Sequence, residues 1–185
     1  MTPAPRLHVT GASCAGVTTL GRRLAERLAV PHLDVDDYFW MPTDPPFTTK
    51  RRPEDRVRLI AQERRAGGWV LSGSLMDWGD ALVDGASLVV FVHTPTLLRL
   101  QRLDTRERER FGTRIDPGGD MHEIHVAFRD WASHYDDPAF SGRSRARHEA
   151  WLGRRREPVL RVDGREDLEA LVARVLAAPV LAALV

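Results

Sequence analysis

One cysteine, one lysine and almost no net charge mark this 185-residue chain. A single cysteine, Cys14, excludes an intrachain disulfide and a multi-cysteine metal site, and points away from an oxidising compartment. Lys and Arg number 27 against 26 Asp and Glu, a formal net charge of +1. That balance excludes a wide basic face for duplex nucleic acid, while local arginine clusters stay open. Long apolar runs are absent too. The tail APVLAALV falls well short of the roughly 20 residues a membrane helix needs, and MTPAPRLHVT lacks a signal-peptide pattern. These absences predict a soluble, cytoplasmic protein with no membrane partner. What is there is an apolar share of 43%, enough for one core, so residues 1–185 are read as a single domain. Lys50 is the only lysine; every other strongly basic side chain is arginine.

Strand and helix patterns alternate. Leu7 to Thr10 is a short strand-like run, followed by TTLGRRLAERL with Leu20, Leu24 and Leu28 at helical spacing. PHLDV, WVLSGS, SLVVFVHT and PVLRV supply four more strands; the unbroken apolar SLVVFVHT suits a central parallel strand. Helical patterns cover Val57 to Arg65, Pro95 to Arg110 and Arg165 to Ala177. The alternation predicts an α/β fold with a mostly parallel five-stranded sheet. Two stretches stand outside it: the proline- and aromatic-rich YFWMPTDPPFTTKRRP within residues 38–66, and FGTRIDPGGD within residues 106–121. Both read as excursions able to close over a substrate. From Met121 a helix presents Ile124, Phe128, Trp131, Ala132 and Tyr135 on one face.

GASCAGVTT, residues 11–19, carries the chemistry. A phosphate loop has the pattern G-x-x-x-x-G-K-[ST] between a strand and a helix. Gly11 and Gly16 fall in register and Thr18 fills the hydroxyl position, but Val17 stands where the lysine belongs. Backbone amides from Ala12, Ser13, Cys14, Ala15 and Gly16 through Thr19 would converge on phosphate oxygens at the positive end of a helix. Thr18 would offer its hydroxyl to Mg²⁺. The competing reading is a plain glycine turn before a helix.

In the order and spacing of these elements the chain, from Arg6 to Ala177, resembles the small P-loop kinases, the group of shikimate, gluconate and adenylate kinase. The resemblance implies a three-layer α/β/α P-loop NTPase fold, with ATP or another NTP and Mg²⁺ as cofactors. In HLDVDDYFW, Asp34 and Asp36 match the Asp-x-Asp of the shikimate and gluconate type. By that likeness Asp34 helps hold Mg²⁺ through water, and Asp36 contacts the acceptor or takes its proton. On a strand, positions i and i+2 share one face, and ligands of open α/β sheets sit at the strands' C-terminal ends. Alternatively, Asp36 and Asp37 cap the next turn. Ser72, Gly73 and Ser74 lie where the related kinases have small residues near the acceptor, or form a tight turn. Arg102, Arg106, Arg110 and Arg114 can present a row of guanidinium groups, and the likeness makes the last three lid cations that clamp the transferring phosphoryl group; a solvated, ion-paired helix is the alternative.

Arg143, Arg145 and Arg147 precede another helix, and Arg143 is the candidate to reach substrate phosphate or carboxylate. Asp163 and Gly164 sit where related kinases lay adenine against backbone. His122 and His125 lack a third ligand, so a surface or packing role is expected. To replace the missing lysine the lid arginines come first and Lys50 beside Arg51 second. The leading expectation is a kinase acting on a hydroxyl compound or a nucleotide, as a monomer or homodimer. The alternatives are a nucleotide-binding regulator with little turnover, and an RNA-contacting protein stacking bases on Trp131, Tyr135 and Trp151.

Overall fold

The computed structural model describes residues 4–64 and 67–183. Five strands, β1 (Arg6–Gly11), β2 (His32–Asp34), β3 (Trp69–Ser72), β4 (Leu88–His93) and β5 (Val159–Asp163), form one sheet in the order β2-β3-β1-β4-β5. Every pairing is parallel, with Val9 opposite both Ser72 and Val90. Because successive side chains point to opposite faces, each strand feeds two layers. Leu7, Val9, Leu88, Val90 and Val92 pack with Leu20 and Leu24 of α1 (Val17–Leu28) and with Leu171, Val172 and Val175 of α7 (Leu168–Leu176). Val89, Phe91 and Leu71 on the other face meet Ile60 of α3 (Pro53–Glu63), Leu82, and Trp151 and Leu152 of α6 (Arg145–Leu152). The expected α/β sheet with helices on both faces is thus present.

Local signals explain most boundaries. Pro53 opens α3, where its missing N–H costs nothing. Asp167 caps α7 by accepting from the amides of Glu169 and Ala170. The C-terminal pattern therefore starts at Leu168 rather than Arg165, and α4 (Thr96–Phe111) runs close to the expected bounds. The helix expected from Val57 instead begins at Pro53 and ends at Glu63; Arg65 lies outside the described residues. Since α3 buries Ile60 completely, the first excursion is shorter than the expected 38–66. It is a loop closed at its base by Trp40 bridging Lys50 and by Met41 N–H to Thr49 O at 2.8 Å.

The second excursion follows α4 as a 3₁₀ turn over Gly112–Ile115 and leads into α5 (His122–Ser133). The two excursions touch. Phe111, Ile115 and Met121 form a small core with Phe47 and Ile124, and the Phe47 and Phe111 rings lie 6.3 Å apart, edge to face. Trp151 and Tyr135 are buried in the body of the molecule, 2% and 4% exposed, which removes them as open stacking platforms. No helix among the described residues is long and apolar enough to cross a membrane.

Candidate phosphate-loop active site

β1 ends at Gly11, and the chain must turn at once into α1. Gly11 is forced: a Cβ there would stand 2.5 Å from Val92 O. Gly16, at φ 98°, occupies the left-handed region that L side chains avoid, and Cys14 also has a positive φ of 60°. The loop is gripped from outside through its carbonyls. Ala15 O accepts from Thr94 Oγ1 at 2.9 Å and from Arg102 Nη1 at 3.4 Å, and Ser13 O accepts from Arg99 Nη1 at 3.4 Å. A trans peptide carries its C=O and N–H in opposite directions. The amides of Cys14 and Gly16, on the far side of those two peptides, therefore turn away from the arginines into the loop's mouth. Among the described residues neither they nor the amides of Val17, Thr18 and Thr19 find a chain acceptor. Five donors at the start of a twelve-residue helix make a nest for an anion.

Val17 is 8% exposed and belongs to the core beside α1, its Cγ2 3.1 Å from where a Gly11 Cβ would be. Residue 17 thus contributes packing where a P-loop lysine would contribute charge. Ala12 and Ala15 are buried with it, while Ser13, Cys14 and Thr18 are half-buried and Thr19 is exposed. Burial pushes the Cys14 thiol up, against the opposing pull of Arg106.

The acidic side departs from the expected strand geometry. β2 ends at Asp34, and Asp36 stands in the first turn of α2 (Val35–Phe39). The pair is brought together by an Asx turn, Asp36 N–H donating to Asp34 Oδ1 at 3.1 Å, and not by a shared strand face. Asp34, rather than Asp36 or Asp37, is the cap. Asp36 reaches solvent, yet protein surrounds it closely; burial first, then Asp34, raises its carboxyl pKa, while Arg143 and Arg106 pull it down. Asp37 is raised for the same two reasons.

The other candidate residues divide. Arg143 comes to the loop: its Nη2 donates to Ser13 Oγ at 2.8 Å. Arg106 sits within electrostatic reach of Cys14 and Asp36 and pairs with buried Glu107 at 2.9 Å. Arg110 lies over the Phe47 and Phe111 rings, at 5.5 and 5.9 Å. Arg114 is not brought to the loop; Asp120 at 2.6 Å and Asp44 at 3.0 Å hold it, tying the two excursions together. Lys50 is exposed and has no side-chain partner among the described residues, and Arg51 Nε is spent on Tyr38 O at 3.1 Å.

Ser72 is a correction. It is fully buried, with its hydroxyl 2.8 Å from His32 Nε2 and its Cβ 2.8 Å from where a Gly21 Cβ would be, so it packs against α1 and does not face an acceptor. Gly73, at φ 126° with Val35 against it, makes the turn, and Ser74 Oγ lies 3.4 Å from His148 Nε2. His122 Nδ1 stands 2.9 Å from Ile115 O, a packing role, and no group of three metal-ligating side chains occurs among the described residues.

Two contributors escaped sequence reading, Thr94 and Arg99, while Arg102 stands out in sequence only as the first of a row with Arg106, Arg110 and Arg114. Arg102 also donates to Gly164 O at 2.9 Å, linking α4, the loop and the turn after β5. A shallow cavity of about 280 Å³ runs beside it, lined by Gln101, Arg102, Thr105, Arg106 and Glu109. The only sequence signal was one turn of helical spacing, Arg99, Arg102 and Arg106 falling on neighbouring positions of α4.

No family model matches the chain. It is 39% identical over 171 residues to YqaC, an uncharacterised Bacillus subtilis protein, covering 92% of this chain and 94% of YqaC. It is 31% identical over 121 residues to the shikimate kinase of Xanthomonas campestris pv. campestris, covering 60% of this chain and 67% of that enzyme. The chain belongs to the shikimate-kinase-like P-loop family. Solved structures agree on the fold of that family. A sugar kinase from Janibacter sp. superposes with TM-score 0.55 at 18% identity over 94% of this chain and 93% of that one. A gluconokinase from Sinorhizobium meliloti superposes with TM-score 0.50 at 20% identity over 99% and 92%. The kinase-like α/β fold is what the chain shares with these two structures.

Proposed function

We propose that the protein is an ATP- and Mg²⁺-dependent phosphotransferase that passes the γ-phosphoryl group to a small hydroxyl-bearing acceptor. The observation that carries this reading is the outward gripping of the Ser13 and Ala15 carbonyls, which turns the next two amides into the loop. A nucleotide's β- and γ-phosphates fit such a ring of donors at a helix N-terminus. Mg²⁺ suits the donor set. It keeps several waters and takes few protein ligands, and Thr18 with Asp34 offers one hydroxyl and one carboxylate. A divalent cation would also relieve the crowding of Asp34, Asp36 and Asp37, which repel one another. The metal would neutralise phosphate charge; the chain's own residues orient the reactants.

Asp36 is the acceptor-side base in this reading. Burial and the neighbouring Asp34 raise its pKa, which makes it a stronger base than an ordinary carboxylate. The shikimate kinases among the relatives lend weight to a hydroxyl acceptor over a nucleotide. The second reading is nucleotide binding with little turnover, favoured by the buried Val17.

The experiment is a titration with Mg-ATP followed by a screen for ADP release over sugars, hydroxy acids, nucleosides and nucleoside monophosphates. Binding together with ADP release on a hydroxyl compound is expected. Asp36→Ala should lower turnover about 100-fold or more and leave nucleotide affinity within about twofold, whereas Thr18→Ala should weaken Mg-nucleotide affinity itself. Binding without ADP from any acceptor would favour the regulator, and no binding at all would overturn both readings.

A further inference from the structure

We infer that Arg143 supplies the positive charge that the phosphate loop lacks, meeting the terminal phosphate from the acceptor side of the loop. The inference rests on the phosphotransferase reading and names the residue that the reading leaves open. Arg143 enters from the segment before α6, far along the chain from the loop, and donates to Ser13 Oγ at 2.8 Å. Its guanidinium lies over the Trp131 ring at 5.0 Å, which fixes the plane of the fork. Asp36 lies within its electrostatic reach, and the two attract without an ion pair within 4.0 Å. Arg143 therefore touches the loop through Ser13 and shares its field with the proposed acceptor-side base.

A combination sets it apart. Its Nε is buried without a hydrogen-bond partner, as are those of Arg106 and Arg155, but those two pair with Glu107 and Asp80, whereas Arg143 forms no salt bridge among the described residues. An arginine so enclosed, with an unused donor and no carboxylate bonded to it, is short of an anion. Bidentate contact with phosphate oxygens matches the guanidinium fork better than a point charge does.

The other candidate arginines have partners of their own. Arg99 and Arg102 are bonded to carbonyls on the loop's outer side. Arg106 is paired with Glu107, Arg114 with Asp120 and Asp44, and Arg110 lies over aromatic rings in the second excursion. Lys50 stands exposed on the first excursion. The apolar side chain of Val17 keeps position 17 from competing for the same space.

The test compares affinity for Mg-ADP and for the β,γ-imido analogue of ATP by calorimetry. The wild type should prefer the triphosphate. Arg143→Gln keeps a donor toward Ser13 and discards the charge; it should lose triphosphate affinity by about tenfold or more while Mg-ADP affinity stays within about twofold. Arg143→Lys should restore part of the preference. Far-UV circular dichroism and a thermal melt check that the variant is folded, and Arg143→Met is the second variant should Gln fail that check. A triphosphate preference kept in full by Arg143→Gln overturns the inference, as does equal loss of both affinities or a wild type that binds both nucleotides alike. A wild type that binds neither overturns the phosphotransferase reading instead, so the two failures are distinct.

Discussion

Arg99 and Arg114 lie on one arginine-rich stretch, α4 and the turn that follows it, and they are held in opposite ways. Arg99 is 1% exposed, and its guanidinium donates to Thr94 O, Thr96 Oγ1, Ser13 O and Ala132 O with no carboxylate among its partners. Arg114 is 41% exposed and sits between two carboxylates. Burial lowers the pKa of the first, and hydrogen bonds donated to Asp120 and Asp44 raise that of the second. A cation bonded to buried carbonyls fixes backbone geometry, because those carbonyls have no water to fall back on. A cation paired with acids in solvent can exchange partners at little cost, which suits a segment that must open and close. The base of the site is thus rigid and its cover is replaceable.

The sharpest way to break that contrast is Arg99→Met. It removes the donor to three carbonyls, two of which orient the loop and the α5 end, and leaves them short of partners. A loss of about 3 kcal/mol or more in urea unfolding is expected, together with loss of nucleotide affinity as the Ser13 peptide is freed to rotate. A cost near that of a surface arginine would sink the contrast.

Acid pH probes the same rigid base from its other side. His148, fully buried, has its Nδ1 2.8 Å from Tyr135 OH, and burial lowers its pKa from 6.5 to about 3. His8 on β1 is buried likewise and lowered to about 4. Between these values and 6.5 the unfolded chain binds protons that the folded chain refuses, so stability rises with pH through that window and is level above it. The slope is about 1.4 kcal/mol per pH unit for each ring. Unfolding free energy measured at about pH 5 should therefore fall short of that at about pH 7.5 by roughly 2–4 kcal/mol. Asp36, whose pKa is raised, works in the opposite direction and softens the slope. His148→Gln should remove close to half of the dependence; an unchanged slope would mean the ring is protonated in the folded state.

Periodicity made the sheet legible: five apolar runs became five strands, because strand burial on both faces needs continuous hydrophobic sequence. The loop was legible because glycine spacing is dictated by backbone geometry, as the Val92 carbonyl against Gly11 illustrates. Side-chain direction was not. Ser72 and Ser74 would share a face in a continuing strand, yet β3 ends at Ser72 and Gly73, at φ 126°, turns the chain, so one serine packs toward α1 and the other lies near His148. The arginines were least legible of all. Arg99 and Arg102 differ from Arg108 only in which face of α4 they occupy, and Arg143 meets Ser13 across 130 positions of chain, a contact that no local pattern announces.

Arg114→Met is the small effect that completes the contrast. It breaks two ion pairs, with Asp120 and with Asp44, but both are solvent-exposed, so the cost in unfolding free energy should be at most about 1 kcal/mol. The excursions should stay in contact regardless, since Phe47 still packs on Phe111 and Ile115. Salt supplies the control. At about 1 M, with a screening length near 3 Å, the wild type should lose most of its advantage over Arg114→Met, while the deficit of Arg99→Met persists because buried groups are screened much less. If the Arg99 deficit also collapsed in salt, the loop's grip would be long-range electrostatics, and the fixed carbonyl contacts from which the nest's geometry was derived would not be what holds it.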